Sequence, residues 1–362
     1  MKKALIAMSG GVDSSVAAYL IKSAGYECIG ATMRLFDNED AGISNEKTCC
    51  SLDDVEDARS VAYKIDIPYY VFNFTADFKR EVIDRFINSY ESGATPNPCI
   101  DCNRYIKWKK LFLRMKELGL DFVVTGHYAR IEKNEQNGRY LLKKGRDSGK
   151  DQSYVLYNMT QEQLSHTLLP IGEYSKSDVR KIAEENGFIN AKKHDSQDIC
   201  FVPDGDYAAF IERYTGKTFE SGDFVNADGE VLGKHKGLIH YTVGQRKGLG
   251  LALKKPQYVC RKDLKANTVI LGDNSDLFTR EFIASDFNWI MFDEPQKPFT
   301  ANVKTRYSQS EQPATVTPLG NGDVRIVFDT PQRAITAGQA AVAYIGDTVV
   351  GGGTITKTQY NI

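Results

Sequence analysis

In the first 200 residues, short apolar runs alternate with segments in which apolar residues recur every three or four positions. A short apolar run bounded by turn residues predicts a strand, and the three-to-four spacing predicts an amphipathic helix. Strands separated by helices predict right-handed crossovers and a parallel sheet covered on both faces, which is a doubly wound α/β fold. The predicted strands are Ala4–Met8, Cys28–Met33, Tyr69–Phe74 and Phe122–Thr125, and the predicted helices are Ser14–Ala24, Asp53–Ile65, Phe78–Tyr90 and Asn103–Leu118.

The pattern changes after about residue 203. Glycine and short turns predominate up to residue 272, and from about residue 281 short strands are indicated, with Val303, Thr305 and Tyr307 alternating with polar neighbours. Hairpins are predicted at Asn321-Gly322 and at Gly346-Asp347, and several short strands in succession are typical of a small barrel. The strands flanking these two turns are Thr315–Leu319 with Val324–Phe328, and Ala341–Ile345 with Thr348–Val350. We therefore predict three domains: an α/β domain at 1–203, a small mixed domain at 204–280 and a C-terminal β-barrel at 281–362.

The composition is that of a globular protein, because 41% of the 362 residues are hydrophobic and 26% are charged. This balance excludes a disordered, collagenous or fibrous chain. Lys and Arg number 46 against 47 Asp and Glu, which gives a net charge of −1. The chain has no overall positive field, so any binding of nucleic acid must come from local basic patches.

Cysteine use and apolar run length indicate the compartment. Seven cysteines are too few for a disulfide scaffold, and the number is odd, so we expect a reducing environment. The apolar run after Lys3 is shorter than the roughly 7–15 residues of a signal peptide, and no run approaches the roughly 20 residues needed to span a membrane. We expect a cytoplasmic protein that has no membrane segment.

The sequence Ser9-Gly10-Gly11-Val12-Asp13-Ser14 follows the first predicted strand and begins the first predicted helix. Two glycines let backbone N–H groups approach an anion closely, and a helix N-terminus and serine hydroxyls add donors. The spacing is not that of a Walker A loop. The six residues resemble the pyrophosphate loop of the ATP-pyrophosphatases, which transfer AMP to a substrate oxygen. The alternative is an ordinary glycine-rich turn. Met33 ends the second predicted strand and Gly126 directly follows the fourth, and ligands of parallel sheets bind at this edge.

A second signal is sulfur. Cys99-Ile100-Asp101-Cys102 is predicted to be a loop that leads into the helix from Asn103, and Cys200 lies far along the chain. A thiol near a helix N-terminus, with Arg104 and Lys107 close by, is expected to have a lowered pKa. The alternatives are a zinc or iron–sulfur site, because Cys-x-x-Cys is also a metal half-site, and inert core thiols. Cys28 and Cys260 are predicted to be inert, and Cys49-Cys50 stays ambiguous.

Three stretches are locally basic: Arg104–Lys116, Arg139–Lys150 and Gly233–Lys247. Each of them alone is more typical of a solvated helix face or loop. Three such stretches beside a nucleotide site favour RNA as a partner, since interleaved aromatic rings can stack on exposed bases. The aromatic residues in question are Tyr105, Trp108, Tyr140 and Tyr241.

Six segments, in order along nearly the whole chain, resemble the bacterial tRNA-specific 2-thiouridylases, the MnmA family. The resemblance implies that ATP adenylates the C2 oxygen of the wobble uridine of tRNA, and that sulfur supplied by a donor protein then replaces this oxygen. The segments are Ser9–Ser14, Thr95–Asn103, Thr125–Arg130, Lys150–Tyr154, Asp198–Phe201 and Tyr241–Gly250.

The resemblance also implies roles for individual residues. Cys200 would carry sulfur as a persulfide, and Cys102 would be the nucleophile and form a transient disulfide with Cys200. ATP would bind together with Mg²⁺, and a monomer without a protein-caged metal is expected. The implied ligands are Ala7, Met8, Ser9, Gly10, Gly11, Val12, Asp13, Ser14, Met33 and Gly126 for ATP; Asn97, Pro98 and Cys99 for the target base; and His127, Lys150, Asp151, Gln152, Arg306, Tyr307 and Gln339 for tRNA.

One position departs from part of that family, because some members carry Asp where this chain has Cys99. The resulting Cys-x-x-Cys leaves open an iron–sulfur-dependent tRNA thiolase that uses Cys99, Cys102 and Cys200. Such enzymes lack the Tyr241–Gly250 segment and the C-terminal barrel, which disfavours this alternative. A small-molecule adenylating ligase and an RNA-binding protein with an inactive nucleotide site are further alternatives.

Overall fold

The computed structural model describes residues 1–36, 52–194 and 199–358. Its first seven strands are β1 (Lys3–Ala7), β2 (Glu27–Arg34), β3 (Tyr69–Asn73), β4 (Phe122–Val124), β5 (Ala129–Lys133), β6 (Tyr140–Lys144) and β7 (Thr167–Leu168). Five of these form a parallel sheet in the order β3-β2-β1-β4-β7. The four predicted strands are confirmed to within one residue at each end. The sheet therefore brings the segments after β1, β2 and β4 to one edge.

Helices cover both faces of this sheet, as expected for a doubly wound fold. The α-helices are α1 (Val12–Ser23), α2 (Leu52–Lys64), α3 (Thr75–Phe78), α4 (Asp84–Glu91), α5 (Pro98–Asp101), α6 (Phe112–Glu117), α7 (Gln161–Ser165), α8 (Lys176–Glu185) and α9 (Tyr207–Thr215). Helices α1, α2 and α8 bury their apolar stripes against one face of the sheet. The region from α3 to α6 buries large side chains such as Phe78, Phe86 and Trp108 against the other face.

Two of the predicted helices contain π-helical stretches. The helix predicted at Phe78–Tyr90 runs as α3, a π-helical stretch at Lys79–Ile83 and α4. The helix predicted from Asn103 begins earlier, at Pro98, and continues from α5 through a π-helical stretch at Cys102–Leu111 into α6. The prediction that Cys99–Cys102 is a loop is therefore wrong. Asn97 ends the preceding extended segment, and its side chain accepts a hydrogen bond from the Cys99 N–H, which caps the new helix.

The middle of the chain forms a small mixed unit. After α9 it has β8 (Gly222–Val225), β9 (Val231–His235), β10 (Tyr258–Asp263) and β11 (Thr268–Gly272), in the sheet order β10-β11-β8-β9. Its core contains Phe224, Tyr241, Val259 and Leu271. Short one-turn 3₁₀ helices occur at Ser153–Leu156, Leu238–His240 and Asn274–Leu277.

The C-terminal part forms a closed antiparallel barrel. Its strands are β12 (Phe278–Trp289), β13 (Phe299–Lys304), β14 (Gln312–Gly320), β15 (Asp323–Arg333), β16 (Ala340–Ile345) and β17 (Thr348–Thr358), in the order β12-β15-β14-β13-β16-β17, and β17 pairs back with β12. Both predicted hairpins are confirmed, and Asn321 and Gly322 have φ of +55° and +78°. The predicted alternation to Tyr307 is wrong, because β13 ends at Lys304.

The barrel is attached to the N-terminal domain by main-chain pairing. Hairpin β5–β6 extends the barrel sheet, with Lys143 opposite Thr348 in β17. On another side the Thr95 N–H donates to the carbonyl of Ala337 at 2.9 Å. The two domains thus share a sheet. Within the described residues, no helix is long and apolar enough to cross a membrane.

Candidate nucleotide and thiol site

The loop between β1 and α1 is a compact cradle of backbone donors. Gly10 has φ of +76°, and a Cβ atom placed there would lie 2.3 Å from the carbonyl oxygen of Asp54, so only glycine fits. The Ser14 hydroxyl accepts from the Ser9 N–H at 3.1 Å and donates to the Gly11 carbonyl at 3.0 Å. Gly11 occupies the N-cap of α1 and has no side chain with which to cap it. The first N–H groups of α1 therefore suit an anionic ligand.

The predicted ATP ligands lie together at the carboxyl edge of the sheet. Gly126 follows β4, and a Cβ atom there would lie 2.7 Å from the backbone carbonyl carbon of Asp13 and from the backbone nitrogen of Ser14. Met33 lies near the end of β2, which is paired with β1. This places Ala7, Met8, Ser9, Gly10, Gly11, Val12, Asp13, Ser14, Met33 and Gly126 at one edge.

The carboxylate of Asp13 is held by two side chains that sequence reasoning missed. The Lys176 ammonium donates to both carboxylate oxygens, at 2.7 and 2.8 Å, and the Tyr128 hydroxyl donates to one of them at 2.8 Å. Lys176 is the first residue of α8, which packs beside α1. The capping pair of Ser175 and Asp178 marks this helix start in the sequence, but nothing in the sequence brings Lys176 to Asp13.

A third missed residue, Asn190, supports the loop from behind. Its amide nitrogen donates to the Gly10 carbonyl and to the Ser15 hydroxyl, both at 2.9 Å, and the side chain is 2% exposed. Three residues later Lys193 donates to Asp54 and Asp57 of α2, both at 2.6 Å. Asn190 thus connects this segment to the loop between β1 and α1, and Lys193 connects it to α2.

The environment of Cys102 differs from the sequence expectation. Because the helix starts at Pro98, Cys102 lies one turn inside it. Burial raises the pKa of the Cys102 thiol to about 11, and the positive charge of Lys107 offsets only part of this effect. The prediction of a lowered pKa is therefore wrong for this state of the protein. Cys99, by contrast, is exposed.

Cys200 lies in a turn fixed by its neighbour. Phe201 is 1% exposed and packs against Phe78, Phe86 and Phe210. Cys102 and Cys200 both pack against this same core cluster, and both are thiols, as are Cys99 and the buried Cys28 and Cys260. Asp198 of the predicted motif and the ambiguous Cys49-Cys50 lie outside the described residues. Within the described ranges, no three His, Cys, Asp or Glu side chains are grouped to hold a metal ion.

One of the three residues expected to contact the target base, Asn97, lies at a junction between domains. Pro98 is buried and Cys99 is exposed, and Asn97 borders a cavity of about 330 Å³. Arg85 and Asp101 also line this cavity, and the barrel closes its other side. Gln339 of the barrel donates to the carbonyl of Thr95 at 2.7 Å, which fixes the turn that leads to Asn97.

Most residues expected to contact tRNA make contacts within the protein. His127 is 7% exposed, and burial holds its pKa well below the ordinary value. Arg306 donates to the carbonyl of Ala334 at 2.6 Å, whereas Tyr307 is 41% exposed. Asp151 accepts from Gly145 and Ser153, Gln152 pairs with the main chain of Tyr128, and the Lys150 N–H donates to Asp147.

The basic stretches differ in how much free charge they present. In Arg104–Lys116, four basic residues have carboxylate partners: Arg104 with Asp286, Lys110 with Asp77, Arg114 with Glu117 and Lys116 with Glu162. In Gly233–Lys247, Lys236, Arg246 and Lys247 are exposed, and Lys234 is exposed beside Asp223. The prediction that aromatic rings here stack on bases is wrong for Trp108 and Tyr241, which are 0% and 3% exposed.

We expect reversal of Lys234, Lys236 and Lys247 to Glu to flatten the salt dependence of tRNA binding. Each lost phosphate contact removes roughly 0.7–0.9 from the slope of log K against log salt, so the slope should fall by about two. Filter binding between 50 and 300 mM salt measures it. The matched reversal of the exposed Lys2, Lys133 and Lys181 should leave the slope unchanged. If the Lys234, Lys236 and Lys247 variant kept the wild-type slope, as the control variant should, the Gly233–Lys247 stretch would only be solvated.

The chain is an α/β domain followed by a small mixed unit and a closed β-barrel, and a known domain family matches each of these three parts. The family described as "tRNA methyl transferase HUP domain" matches residues 2–204, "tRNA methyl transferase PRC-barrel domain" matches 208–273, and "Aminomethyltransferase beta-barrel domain" matches 279–355.

Curated relatives define the family more narrowly. The tRNA-specific 2-thiouridylase MnmA of Clostridioides difficile is 54% identical over 357 residues, which is 99% of each chain. Those of Lachnoclostridium phytofermentans and Acetivibrio thermocellus are 51% and 52% identical, over 99% and 98% of this chain and 100% and 99% of theirs. The chain belongs to the MnmA family of tRNA-specific 2-thiouridylases.

Proposed function

We propose that this protein is a tRNA 2-thiouridylase that converts the wobble uridine of tRNA to 2-thiouridine, with ATP as the activating substrate. The observation that carries the proposal is the family match over 99% of the chain, together with an intact phosphate loop at Ser9–Ser14. We also propose that the chain is divided into three domains, at residues 1–203, 204–280 and 281–362.

The first step activates an oxygen. The C2 oxygen of uracil is a poor leaving group and must be activated before sulfur can replace it. This oxygen attacks the α-phosphorus of ATP, pyrophosphate departs, and an O-adenylated base remains. The N–H groups of Gly10 to Asp13 and the N-terminus of α1 would stabilise the phosphate charge, and the uncapped start of α1 supports this role. Mg²⁺ bound to the nucleotide would also neutralise phosphate charge. The carboxylate of Asp13 would hold this ion, and its bond to Lys176 would then be replaced by one to Mg²⁺.

The second step moves sulfur. Cys200 receives sulfur from a donor protein and becomes a persulfide, Cys200–S–SH. The thiolate of Cys102 attacks the inner sulfur of the persulfide, the Sγ of Cys200, so a Cys102–Cys200 disulfide forms, the S–S bond of the persulfide breaks and hydrosulfide leaves. Hydrosulfide attacks C2 of the adenylated base, and AMP departs. In a variant of this order, the outer persulfide sulfur attacks C2 first, and the disulfide forms as sulfur leaves Cys200. A dithiol reductant then restores both thiols.

The partners follow from this chemistry. The proposed macromolecular substrate is tRNA, with the target base held by Asn97, Pro98 and Cys99, and the second partner is a sulfur-donor protein that forms persulfides. We propose that the protein is a monomer and acts in the cytoplasm, where thiols stay reduced. Contacts to tRNA are proposed for His127, Lys150, Asp151, Gln152, Arg306, Tyr307 and Gln339.

The direct test is the conversion of tRNA in vitro. The purified protein is incubated with unmodified tRNA, ATP, Mg²⁺ and a sulfur-donor protein that carries a persulfide, and the digested nucleosides are analysed by mass spectrometry. We expect 2-thiouridine at the wobble position only when ATP is present. ATP turnover that yields no thiolated nucleoside would contradict the proposed function.

Asp13 gives a second test, because its carboxylate is the acidic group of the phosphate loop. We expect Asp13→Asn to lower tRNA-dependent pyrophosphate release by about 100-fold or more, since an amide would hold Lys176 and the nucleotide-bound Mg²⁺ much less well than the carboxylate. Tyr128→Phe is the control, because it removes one donor to Asp13 and keeps the carboxylate. A pyrophosphate assay in which Asp13→Asn works at the wild-type rate would remove Asp13 from the reaction.

A further inference from the structure

The helix that carries Cys102 has an unusual geometry. Residues Cys102–Leu111 are π-helical, with hydrogen bonds between residues five apart. In an α-helix, Lys107 would lie roughly 140° around the axis from Cys102. Hydrogen bonds of the π type place the two residues nearer to one face. The charge of Lys107 accordingly acts on the Cys102 thiol, where it lowers the pKa against the effect of burial.

The far end of Lys107 is fixed by a neutral imidazole. Its ammonium nitrogen lies 3.3 Å from Nε2 of His127, and Nδ1 of His127 lies 2.7 Å from the Thr125 hydroxyl. An ammonium group can only donate, so Nε2 accepts and the ring proton is on Nδ1, facing Thr125. Burial keeps the imidazole uncharged. The ring also lies near Trp108, at a centroid distance of 6.4 Å, and His127 is 7% exposed.

The side chain of Lys107 is hydrogen-bonded to an imidazole, whereas most of its basic neighbours pair with a carboxylate. Arg104, Lys110, Arg114 and Lys116 each have a carboxylate, which cancels their charge. In the part of the chain that the structure describes, the hydrogen-bond partner of Lys107 is the neutral His127. The charge of Lys107 is therefore not neutralised by this hydrogen-bond partner, and it acts on the Cys102 thiol. The other charged or titratable groups acting on Cys102 are Cys99 and Asp101, and both disfavour its thiolate.

We infer that Lys107, held by the Nδ1–H tautomer of His127, is the positioning residue that stabilises the Cys102 thiolate. The thiol proton passes to solvent, and the ammonium balances the charge that stays on sulfur. This inference rests on the proposed function for the role of Cys102 as nucleophile. It also gives His127 a second task beside any contact with tRNA, because the imidazole keeps Lys107 in place without neutralising it.

The test measures the ionisation of Cys102 directly. The full-length protein is alkylated with iodoacetamide between pH 6.5 and 10, and peptide mass spectrometry follows each cysteine separately. We expect Lys107→Met to slow alkylation of Cys102 about 10-fold at pH 8, which corresponds to a pKa raised by about one unit. Lys107→Arg should restore most of the rate. The exposed Lys109, on the same helix, gives the control Lys109→Met, which should leave the alkylation of Cys102 unchanged.

A variant at His127 separates charge from folding. His127→Gln still offers an acceptor to Lys107 and should behave as wild type in alkylation, whereas His127→Leu should slow it as Lys107→Met does. If Lys107→Met loses its native circular dichroism spectrum, the two His127 variants decide the question. Equal alkylation rates for Cys102 in wild type and in either Lys107→Met or His127→Leu would overturn the inference.

Activity distinguishes this inference from the proposed function. We expect Lys107→Met to keep tRNA-dependent pyrophosphate release and to lose thiolation, because adenylation does not use the thiol. Loss of pyrophosphate release with normal alkylation would place Lys107 in the nucleotide site and overturn the inference. Full thiolation by Cys102→Ser would instead contradict the nucleophile role in the proposed function, whatever the alkylation result.

Discussion

Cys200→Ser is expected to abolish 2-thiouridine formation while tRNA-dependent pyrophosphate release continues. Serine cannot hold a persulfide, whereas the adenylation step uses only the phosphate loop and the target base. The expected loss of thiolation is at least 1000-fold, since a covalent carrier has no substitute in the site. Nucleoside mass spectrometry and a pyrophosphate assay on the same reaction measure the two steps separately.

Cys102→Ser should stop the reaction at the other end of the relay, with a persulfide retained on Cys200. Cys99→Ser is the matched control, because Cys99 is exposed on the same helical turn and has no place in the relay. We expect the Cys99→Ser variant to keep part of its thiolation activity, because it would alter how the target base is held but would leave both sulfur-carrying cysteines in place. Loss of all activity in the Cys99 variant, together with stoichiometric iron and sulfide in anaerobically purified wild type, would favour the iron–sulfur alternative.

Gly126→Ala is expected to reduce ATP binding by about 100-fold or more. The added methyl group would lie 2.7 Å from backbone atoms of Asp13 and Ser14, which cannot move without opening the phosphate loop. Gly10→Ala should be at least as severe, because the methyl group would lie 2.3 Å from the Asp54 carbonyl oxygen and φ is +76°. Calorimetric titration with ATP measures both.

Two other glycines separate the effect on the site from the effect on the backbone. Gly25→Ala has the same positive φ problem, at +84°, but its methyl group meets no atom within 4 Å, so it should cost stability and keep ATP affinity. Gly11→Ala would place a methyl group 3.5 Å from the Ser9 hydroxyl, an ordinary contact. If Gly126→Ala bound ATP as tightly as Gly11→Ala does, the nucleotide would not occupy this cradle.

The parts of the fold that follow from local periodicity were predictable. Strands β1 to β4 and the hairpin at Asn321-Gly322 were found because burial of one face and the conformation of a turn depend on neighbouring residues. The position of the phosphate loop followed from the same logic, since parallel strands bring their carboxyl ends to one edge.

The missed features depend on contacts between distant segments. Nothing near Lys176 indicates that its ammonium meets Asp13, and nothing near Asn190 indicates that it holds Gly10. The π-helical stretch was not predicted, because over ten residues the spacing of its apolar positions resembles that of an α-helix. The pKa of Cys102 was predicted in the wrong direction because burial, which depends on tertiary packing, outweighs the nearby positive charge.

The pairing of hairpin β5–β6 with β17 has a consequence for how the chain folds during synthesis. Lys143 and Thr348 are partners although 204 residues lie between them. At roughly 5–20 residues per second, the ribosome needs about 10–40 s to make the intervening chain. During that time the outer edge of the hairpin presents unpaired backbone groups, which favour association with other strands. The edge of β6 therefore stays open to other strands until β17 has been made, and the hairpin joins the barrel sheet only near the end of synthesis.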